Sequence, residues 1–218
     1  MKRKGARFLK FPLIMFLLFI SGCKKDEVVV VPVVSTLSIT SITSISAVSV
    51  GLITSNGGAD VTVRGAVVGT TSQPTIDLAT KTTDGDGVGS FTSTLNNLLP
   101  GTEYFVRTYA TNVAGTAYGN ELTFTTGIAL PIVTTSSITN IQPTSASGGG
   151  EVTSDGGSPI LERGICYSKN PTPTIESATK VDSGTGKGVF TASLTNLIDG
   201  AIYHVRAFAT NSLGTSWG

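Results

Sequence analysis

The sequence predicts an all-β protein built from two β-sandwiches in tandem. Short runs of alternating apolar and polar residues are separated by clusters of Gly, Pro, Asn and Asp about every 8–12 residues, which is typical of sandwiches and barrels. The 26 glycines among the 218 residues fit this pattern, because tight turns favour glycine. In addition, residues 36–119 align with residues 135–218 without a gap, and 38 of the 84 positions are identical.

The repeat has a constant offset of 99 residues. The Arg64-Gly65 pair, for example, returns as Arg163-Gly164. Self-similarity over most of a chain indicates homologous structural units. We therefore expect two domains, at 31–126 and 130–218, with the second lacking its last strand.

Within the first repeat, the alternation predicts seven strands. Their approximate ranges are 32–36, 46–54, 61–69, 77–82, 89–96, 103–112 and 117–126. Seven short strands in about 95 residues is the size of an immunoglobulin-like sandwich.

A motif before the sixth predicted strand narrows the fold. The segment Leu98-x-Pro100-Gly101-Thr102-Glu103-Tyr104 resembles a tyrosine corner, and Leu197-x-Asp199-Gly200-x-x-Tyr203 repeats it without the proline. With the Val-Arg-x-x-Ala-Thr-Asn-x-x-Gly that follows, it resembles fibronectin type III domains, in a variant common in surface proteins of Bacteroidetes-type bacteria. The resemblance implies two fibronectin type III-like sandwiches. The sequence departs from the family in one respect, since it lacks a large aromatic residue on the second strand.

Residues 1–22 have the parts of a bacterial export signal. Five basic residues within the first ten positions precede an apolar run from Phe11 to Ile20. This run is shorter than the roughly 20 residues that a membrane-spanning helix needs, and it fits a secretory signal. Ile20-Ser21-Gly22-Cys23 resembles the lipobox of bacterial lipoproteins, which implies cleavage before Cys23 and a covalent lipid on its thiol. The alternatives are an ordinary signal peptide followed by an incidental cysteine, and an uncleaved signal anchor, which the short apolar run disfavours.

The lipoprotein resemblance also implies a location. Residues 23–30 would form a tether, and two or three acyl chains would anchor it stably in a membrane. Lys24-Lys25-Asp26-Glu27 resembles the charged sequences that route lipoproteins to the outer face in Bacteroidetes-type bacteria. We therefore expect the protein on the bacterial outer membrane, facing the exterior, with the membrane as its first partner.

The formal net charge of +1 hides an asymmetry along the chain. Five of the fifteen basic residues lie in the predicted signal, so the remainder has ten basic and fourteen acidic residues, a net charge of −4. A mildly acidic chain does not offer the basic patch that nucleic-acid binding requires. Nucleic acid is therefore excluded from the expected partners.

Histidine and cysteine, which often act in catalysis or in metal binding, are rare in this sequence. His204 is the only histidine, and its counterpart in the first repeat is Phe105, which favours an aromatic surface role over a metal or catalytic one. Cys166 corresponds to Val67, which favours a small apolar strand residue over a reactive thiol. With Cys23 acylated, no internal disulfide can form.

Two glycine-rich stretches resemble ligand-binding loops only in part. Asp84-Gly85-Asp86-Gly87 begins like a calcium loop, but the twelfth position is Leu95 instead of glutamate, and the second repeat keeps the glycines without the acids. This favours a hairpin turn. Gly184-x-Gly186-Lys187-Gly188 lacks the first glycine and the final Ser or Thr of a phosphate-binding loop. We expect no catalytic site, no metal site and no cofactor beyond the lipid.

Two strand faces are candidate interaction surfaces. On the second strand, alternation places Ala47, Ser49, Gly51 and Ile53 inward, which leaves an outward apolar stripe of Val48, Val50 and Leu52. Exposed apolar patches can mark partner surfaces. The alternatives are that the two faces are inverted, or that residues 28–34 cover the stripe.

The sixth strand of each repeat supplies the second surface. Its predicted outward row is Phe105, Arg107 and Tyr109 in the first repeat, and His204, Arg206 and Phe208 in the second. Aromatic and guanidinium groups suit contact with an extracellular glycan or protein, but they equally suit cross-strand pairing. Arg64 and Arg163, one strand away, are expected to pack or to pair with acids.

The second repeat has no counterpart of residues 120–126. We expect its sixth strand to carry an unpaired edge, so that the chain is a fragment of a longer protein or another partner covers the edge. The function that fits best is a non-enzymatic, lipid-anchored surface protein whose sandwiches act as spacer or adhesion modules. The alternatives are a stalk fragment of a larger surface enzyme or glycan-utilisation protein, and a soluble secreted binder.

Overall fold

The protein is all-β over residues 28–218, which are the residues that its structure, a computed structural model, describes. The predicted signal peptide, Cys23 and residues 24–27 of the tether lie outside these residues. Between residues 28 and 218 there is no helix with the length and apolar character needed to cross a membrane.

The strands follow the two repeats of the sequence. Those of the first repeat, module 1, are β1 (Val33–Thr40), β2 (Ala47–Ser55), β3 (Val63–Gly69), β4 (Gly89–Leu95), β5 (Glu103–Asn112), β6 (Gly115–Tyr118) and β7 (Leu122–Thr125). Those of the second repeat, module 2, are β8 (Ile132–Thr135), β9 (Thr139–Gln142), β10 (Ser145–Ser154), β11 (Glu162–Ser168), β12 (Thr179–Asp182), β13 (Gly188–Leu194), β14 (His204–Asn211) and β15 (Gly214–Trp217).

Each module consists of two antiparallel sheets in a sandwich-like arrangement. In module 1 the sheets have the orders β1-β2-β4 and β3-β5-β6, with β7 also paired to β5. In module 2 the orders are β13-β10-β8, with β9 on β10, and β12-β11-β14-β15. Ala47 and Leu95 from one sheet of module 1 share a core cluster with Val68 and Val106 from the other, and each is at most 2% exposed. Burial of this shared apolar surface is the main force that holds the two sheets together.

Residues 77–82 do not form a strand, so this prediction is wrong for module 1. The N–H of Thr82 donates to the carbonyl of Ala66 at 2.8 Å, but the N–H of Ala66 donates to Thr82 Oγ1 instead of a carbonyl. A threonine hydroxyl that takes the place of a backbone acceptor interrupts regular pairing. Module 2 has Val181 at this position, and there β12 pairs regularly with β11.

The single strand predicted at 117–126 is in fact two strands, β6 and β7. Both lie on the edge of β5 away from β3, with β6 beside residues 109–112 and β7 beside residues 103–106. The break between them includes Asn120, whose side-chain oxygen accepts the N–H of Thr36 at 3.1 Å and draws the chain towards β1.

The tyrosine-corner motif has the local geometry expected of it in both modules. The hydroxyl of Tyr104 accepts a hydrogen bond from the N–H of Leu99 at 2.9 Å, and that of Tyr203 accepts one from the N–H of Ile198 at 3.2 Å. Each bond ties the start of a central strand to the loop before it.

Candidate interaction surfaces

The glycine-rich turns hold the two repeated arginines. Arg64 Nη1 donates to the carbonyls of Gly87 and Val88, both at 3.2 Å, and its guanidinium lies 5.1 Å from the ring centroid of Phe91. Gly85 and Gly87 have φ of 93° and 74°, which lets the turn direct its carbonyls at the cation. The arginine is therefore a structural element of the turn, bonded to carbonyls instead of acids.

Module 2 repeats this arrangement without the acidic residues. Arg163 Nη1 donates to the carbonyls of Gly186 and Lys187 at 3.1 and 3.0 Å, and its guanidinium lies 5.2 Å from the centroid of Phe190. The segment that resembles a phosphate loop thus binds a guanidinium through its backbone. Over the described part of the chain, no three His, Cys, Asp or Glu residues are grouped so that they could hold a metal ion.

The apolar stripe on β2 lies on the outer face of its sheet. Val48, Val50 and Leu52 are partly exposed, whereas the alternate residues Ala47, Ser49, Gly51 and Ile53 are buried. On the neighbouring strands, Ser and Thr residues stand opposite all three: Thr40 and Thr94, Ser38 and Thr92, and Ser35 and Ser90. The stripe is therefore a narrow apolar ridge between two rows of hydroxyl groups.

Module 2 has a groove where module 1 has this ridge. Gly149 replaces Val50 in the middle of the strand, and a groove of about 400 Å³ lies there. Its lining is rich in hydroxyl groups, including those of Ser136, Thr139, Ser147 and Thr191. The two modules thus present different outer faces on equivalent sheets.

Two of the six residues predicted for the outward row of the sixth strand are buried. Tyr109 is 2% exposed, and its hydroxyl donates to the carbonyl of Thr82 at 2.6 Å. Phe208 is fully buried, with the Nζ of Lys180 on β12 5.6 Å from its ring centroid. The prediction that these two rings are exposed is wrong. In each module the segment that precedes the glycine-rich turn, with Thr82 in module 1 and Lys180 in module 2, covers the ring.

Sequence reasoning missed two aromatic partners of the row. The guanidinium of Arg107 lies 4.6 Å from the ring centroid of Tyr118, and that of Arg206 lies 5.2 Å from the centroid of Trp217. Stacking of this kind orders an arginine and presents a flat, charged surface. The signal was present in the sequence, since Tyr118 and Trp217 are 99 residues apart and both aromatic.

The arginine–aromatic pair is braced differently in the two modules. In module 1, Arg107 Nη1 donates to Gln73 Oε1 at 3.2 Å, and the hydroxyl of Tyr118 accepts the N–H of Ile76 at 3.0 Å, so the 70–78 loop lies against the pair. The arginine Nε donates to a glycine carbonyl in both modules, from Arg107 to Gly119 at 3.1 Å and from Arg206 to Gly218 at 3.3 Å, but in module 2 His204 beside Arg206 is exposed. We call His204, Arg206 and Trp217 the His204 face.

Cys166 lies in the interior of module 2. The side chain is fully buried, and burial raises the pKa of its thiol to about 11. A thiol with this pKa stays protonated at neutral pH and is a poor nucleophile. Nearby, the side-chain bond to Glu162 raises the pKa of Lys180, which holds the ammonium charged beside the carboxylate.

No family model matches this chain, and no curated protein matches it either.

Proposed function

We propose that this chain is a non-enzymatic, lipid-anchored surface protein whose tandem fibronectin type III-like sandwiches act as a spacer of fixed geometry. The observation that carries the proposal is the connection between the modules. Both ends of the linker, residues 126–131, are hydrogen-bonded to the module that they adjoin, and the modules also touch directly.

The linker is tied to module 1 at its start and to module 2 at its end. Gly127 donates its N–H to the carbonyl of Thr43 and accepts the N–H of Gly101, each at 3.0 Å. Ala129 donates its N–H to the carbonyl of Gly156 at 2.7 Å, and its own carbonyl accepts Asn211 Nδ2 at 2.7 Å. Only one residue, Ile128, lies between these two tied positions, which leaves little freedom for a hinge.

A backbone contact between two glycines reinforces the connection. A β-carbon on Gly101 would overlap the backbone of Gly157, and a β-carbon on Gly157 would overlap that of Pro100 and Gly101. Beside this contact, Asp155 pairs with Lys187 at 3.1 Å, and the N–H of Gly157 together with Lys187 lowers the pKa of that carboxyl. The loop that meets module 1 is thus internally fixed.

The tether enters module 1 in the same way that the linker enters module 2. The N–H of Val30 donates to the carbonyl of Gly57 at 2.9 Å, and the carbonyl of Val30 accepts Asn112 Nδ2 at 2.7 Å. Six residues lie between Cys23 and Val30, so the chain takes seven steps between them, and a fully extended chain spans about 3.5 Å per step. A lipid on Cys23 would therefore hold module 1 within about 25 Å of the membrane surface.

The spacer proposal is tested by measuring the distance between the modules. Spin labels on Thr92→Cys and Thr191→Cys, which occupy equivalent exposed positions, report this distance by pulsed electron resonance in a Cys23→Ser background. We expect one narrow distribution, and a clearly broader one in Gly157→Val. Gly58→Val is the matched control, since Gly58 has a similar φ (87° against 78°) but has only Val29 near it. A broad distribution in the unmutated linker would refute a fixed spacer.

The anchor is tested separately. Growth with a radioactive fatty acid should label the protein and place it in the membrane fraction, and Cys23→Ser should abolish both results. Digestion of intact cells by an added protease tests whether the modules face the exterior. Absence of label in the protein with Cys23 intact would refute the anchor.

A second candidate, adhesion, is favoured by the His204 face. An ordered guanidinium on a tryptophan with an exposed imidazole beside it can stack on a sugar ring or bind a carboxylate. An oligosaccharide array tests this function. Binding should be lost in Arg206→Ala, and should persist in Arg107→Ala, where the 70–78 loop lies against the equivalent arginine. Equal loss in both variants, or no binding by the parent protein, would count against it.

A further inference from the structure

The end of module 1 that the tether enters carries exposed valines. The four valines at residues 28–31 are 37% to 83% exposed, although the backbone of Val30 is hydrogen-bonded to the module. Val113 is 82% exposed at the tip of the β5–β6 hairpin, where Asn112 pairs with Gly115. Contiguous exposed apolar residues of this kind mark a surface that contacts a partner or a membrane.

The valines of the tether and of the hairpin belong to one surface. Asn112, which precedes Val113, donates through Nδ2 to the carbonyl of Val30 at 2.7 Å. A β-carbon on Gly115 would lie 3.5 Å from Val31 Cγ1. The tether therefore runs along the hairpin as it enters the module.

Two loops beside the hairpin continue this surface. A β-carbon on Gly58 would lie 3.9 Å from Val29 Cα, and Ala59, the next residue, is partly exposed. Val88 is exposed and lines the same pocket as Asn56. We call the whole surface the tether end of module 1: residues 28–31, Ala59, Val88 and Val113.

Module 2 is polar at three equivalent positions. Ser158, Lys187 and Ser212 stand there in place of Ala59, Val88 and Val113. The hydroxyls of Ser158 and Ser212 are hydrogen-bonded at 2.8 Å, and Lys187 pairs with Asp155. This end of module 2 lies against module 1. At the tether end, where no other module lies within residues 28–218, the same positions are apolar, which is the reverse of what contact with water alone favours.

The position of the proposed lipid indicates what the tether end meets. Cys23 lies five steps before Val28, and five extended steps span at most about 17 Å. A lipid on Cys23 would hold the tether end close to the headgroups, and a tethered contact forms at high effective concentration even when it is weak. This contact depends on the proposed lipid anchor, and it gives module 1 an orientation that the anchor alone does not.

The charges beside the tether end favour one kind of lipid surface. Asp60 and Asp86 are exposed on the pocket that Val88 lines, and the charges of Lys24-Lys25-Asp26-Glu27 in the tether sum to zero. Anionic headgroups repel carboxylates within a range of roughly 8–10 Å at physiological ionic strength. Zwitterionic headgroups therefore fit this surface better than anionic ones.

We propose that the tether end of module 1 lies on the membrane, with Val113 and the valines of the tether among zwitterionic phospholipid headgroups. Burial of these apolar side chains supplies the attraction. Module 2 adjoins module 1 beside Gly101, at the opposite end of β5. The ten residues of β5, about 33 Å of strand, then separate module 2 from the membrane.

The test uses the lipidated full chain in phosphatidylcholine vesicles, with Cys166→Val to remove the other thiol. A fluorophore is placed on Val113→Cys, and some of the phosphatidylcholine carries a nitroxide on its headgroup. We expect the nitroxide to quench this fluorophore. Ser212→Cys is the matched control, because Ser212 lies at the tip of the equivalent hairpin in module 2, and its fluorophore should keep its intensity.

A second set of variants tests the side chains that make the contact. With the fluorophore on Val88→Cys, Val113→Asp should lower the equilibrium constant for contact by about tenfold, because a valine side chain loses its burial. Ser212→Asp should leave that constant unchanged. Phosphatidylglycerol in place of phosphatidylcholine should weaken the quenching, and Asp60→Asn together with Asp86→Asn should restore it.

Flotation of the vesicles distinguishes failure of the anchor from failure of the contact. Protein that floats with the vesicles while the fluorophore on Val113→Cys stays unquenched would overturn the contact and leave the anchor intact. Protein that does not float would overturn both. Equal quenching at the two hairpins, or stronger quenching on phosphatidylglycerol, would also overturn the proposal. So would burial of the fluorophore against a second copy of the chain, detected by sedimentation of the Cys23→Ser variant.

Discussion

The two central strands β5 and β14 have closely related sequences but different surroundings. Tyr104 is 7% exposed and Val106 is fully buried, whereas the identical residues Tyr203 and Val205 are only partly buried. The difference comes from β7, which covers the first half of β5. The burial of a residue in these modules is therefore set by the neighbouring strand as much as by its own identity.

The loop before each strand responds to the same difference. In module 1 the N–H of Thr102 donates to Thr126 Oγ1 at 2.9 Å, so the loop is bonded to the residue that follows β7. In module 2 the N–H of the equivalent Ala201 donates to the carbonyl of Ile198 at 3.1 Å, within the loop itself. A single strand thus determines both the core next to it and the bonding of the adjacent turn.

The substitution Phe124→Ala is the most direct test of whether β7 causes the difference between β5 and β14. We expect it to lower the free energy of unfolding of module 1 by about 3–5 kcal/mol, the usual cost of removing a buried phenylalanine ring. Amide exchange in β5 should then approach that in β14, as measured by mass spectrometry. Thr123→Ala, an exposed change on the same strand, is the control and should have little effect.

Exchange in β5 that stayed slow in Phe124→Ala would contradict this view. It would mean that backbone pairing alone holds β7, and that the stack of Phe124 on Tyr104 contributes little. The difference between the modules would then have to come from their loops.

The two modules should also differ in how their stability depends on pH. Folding raises the pKa of Cys166 to about 11 from a usual value of 9.0. The folded state therefore holds a proton that the unfolded state has lost, and stability falls as pH rises from 9 to 11. We expect a loss of about 2 kcal/mol over this window in module 2.

Fluorescence of Trp217, the single tryptophan, reports the unfolding of module 2 at each pH. Cys166→Val installs the residue that module 1 carries as Val67, and it should remove this part of the pH dependence. A pH profile that is unchanged by Cys166→Val would show that other groups cause the loss.

The tyrosine corners allow a smaller, paired test. Tyr104→Phe removes a hydroxyl that is hydrogen-bonded in a buried setting and should cost about 1–1.5 kcal/mol. Tyr203→Phe should cost about 0.5 kcal/mol, because the more exposed N–H of Ile198 can bond to water instead. Chemical denaturation with amide exchange measures each module. Equal costs would show that the β7 strand does not influence the corner.

The sequence predicted the repeat unit, the β class and most strand positions, because these follow from local alternation and turn residues. It placed Tyr109 and Phe208 on the surface, since alternation gives the side of a sheet but not what lies over that side. It merged β6 with β7, because the bond from Thr36 to Asn120 joins residues 84 apart. Long-range contacts of this kind leave no periodic signal in a sequence.

Ser49 offers the smallest test of how the modules differ. Its hydroxyl is buried and finds no hydrogen-bond partner among the described residues, and module 2 has Gly148 at the same position. A buried hydroxyl without a partner is unfavourable, so Ser49→Ala should raise the unfolding free energy of module 1 by about 0.5–1 kcal/mol. Thermal unfolding followed by calorimetry measures the change.

Ser93→Ala is the contrasting variant, because the hydroxyl of Ser93 donates to Asp84 Oδ2 at 2.6 Å, and its loss should lower the same free energy. If both variants were destabilising, a buried water bonded to the hydroxyl of Ser49 would account for the loss.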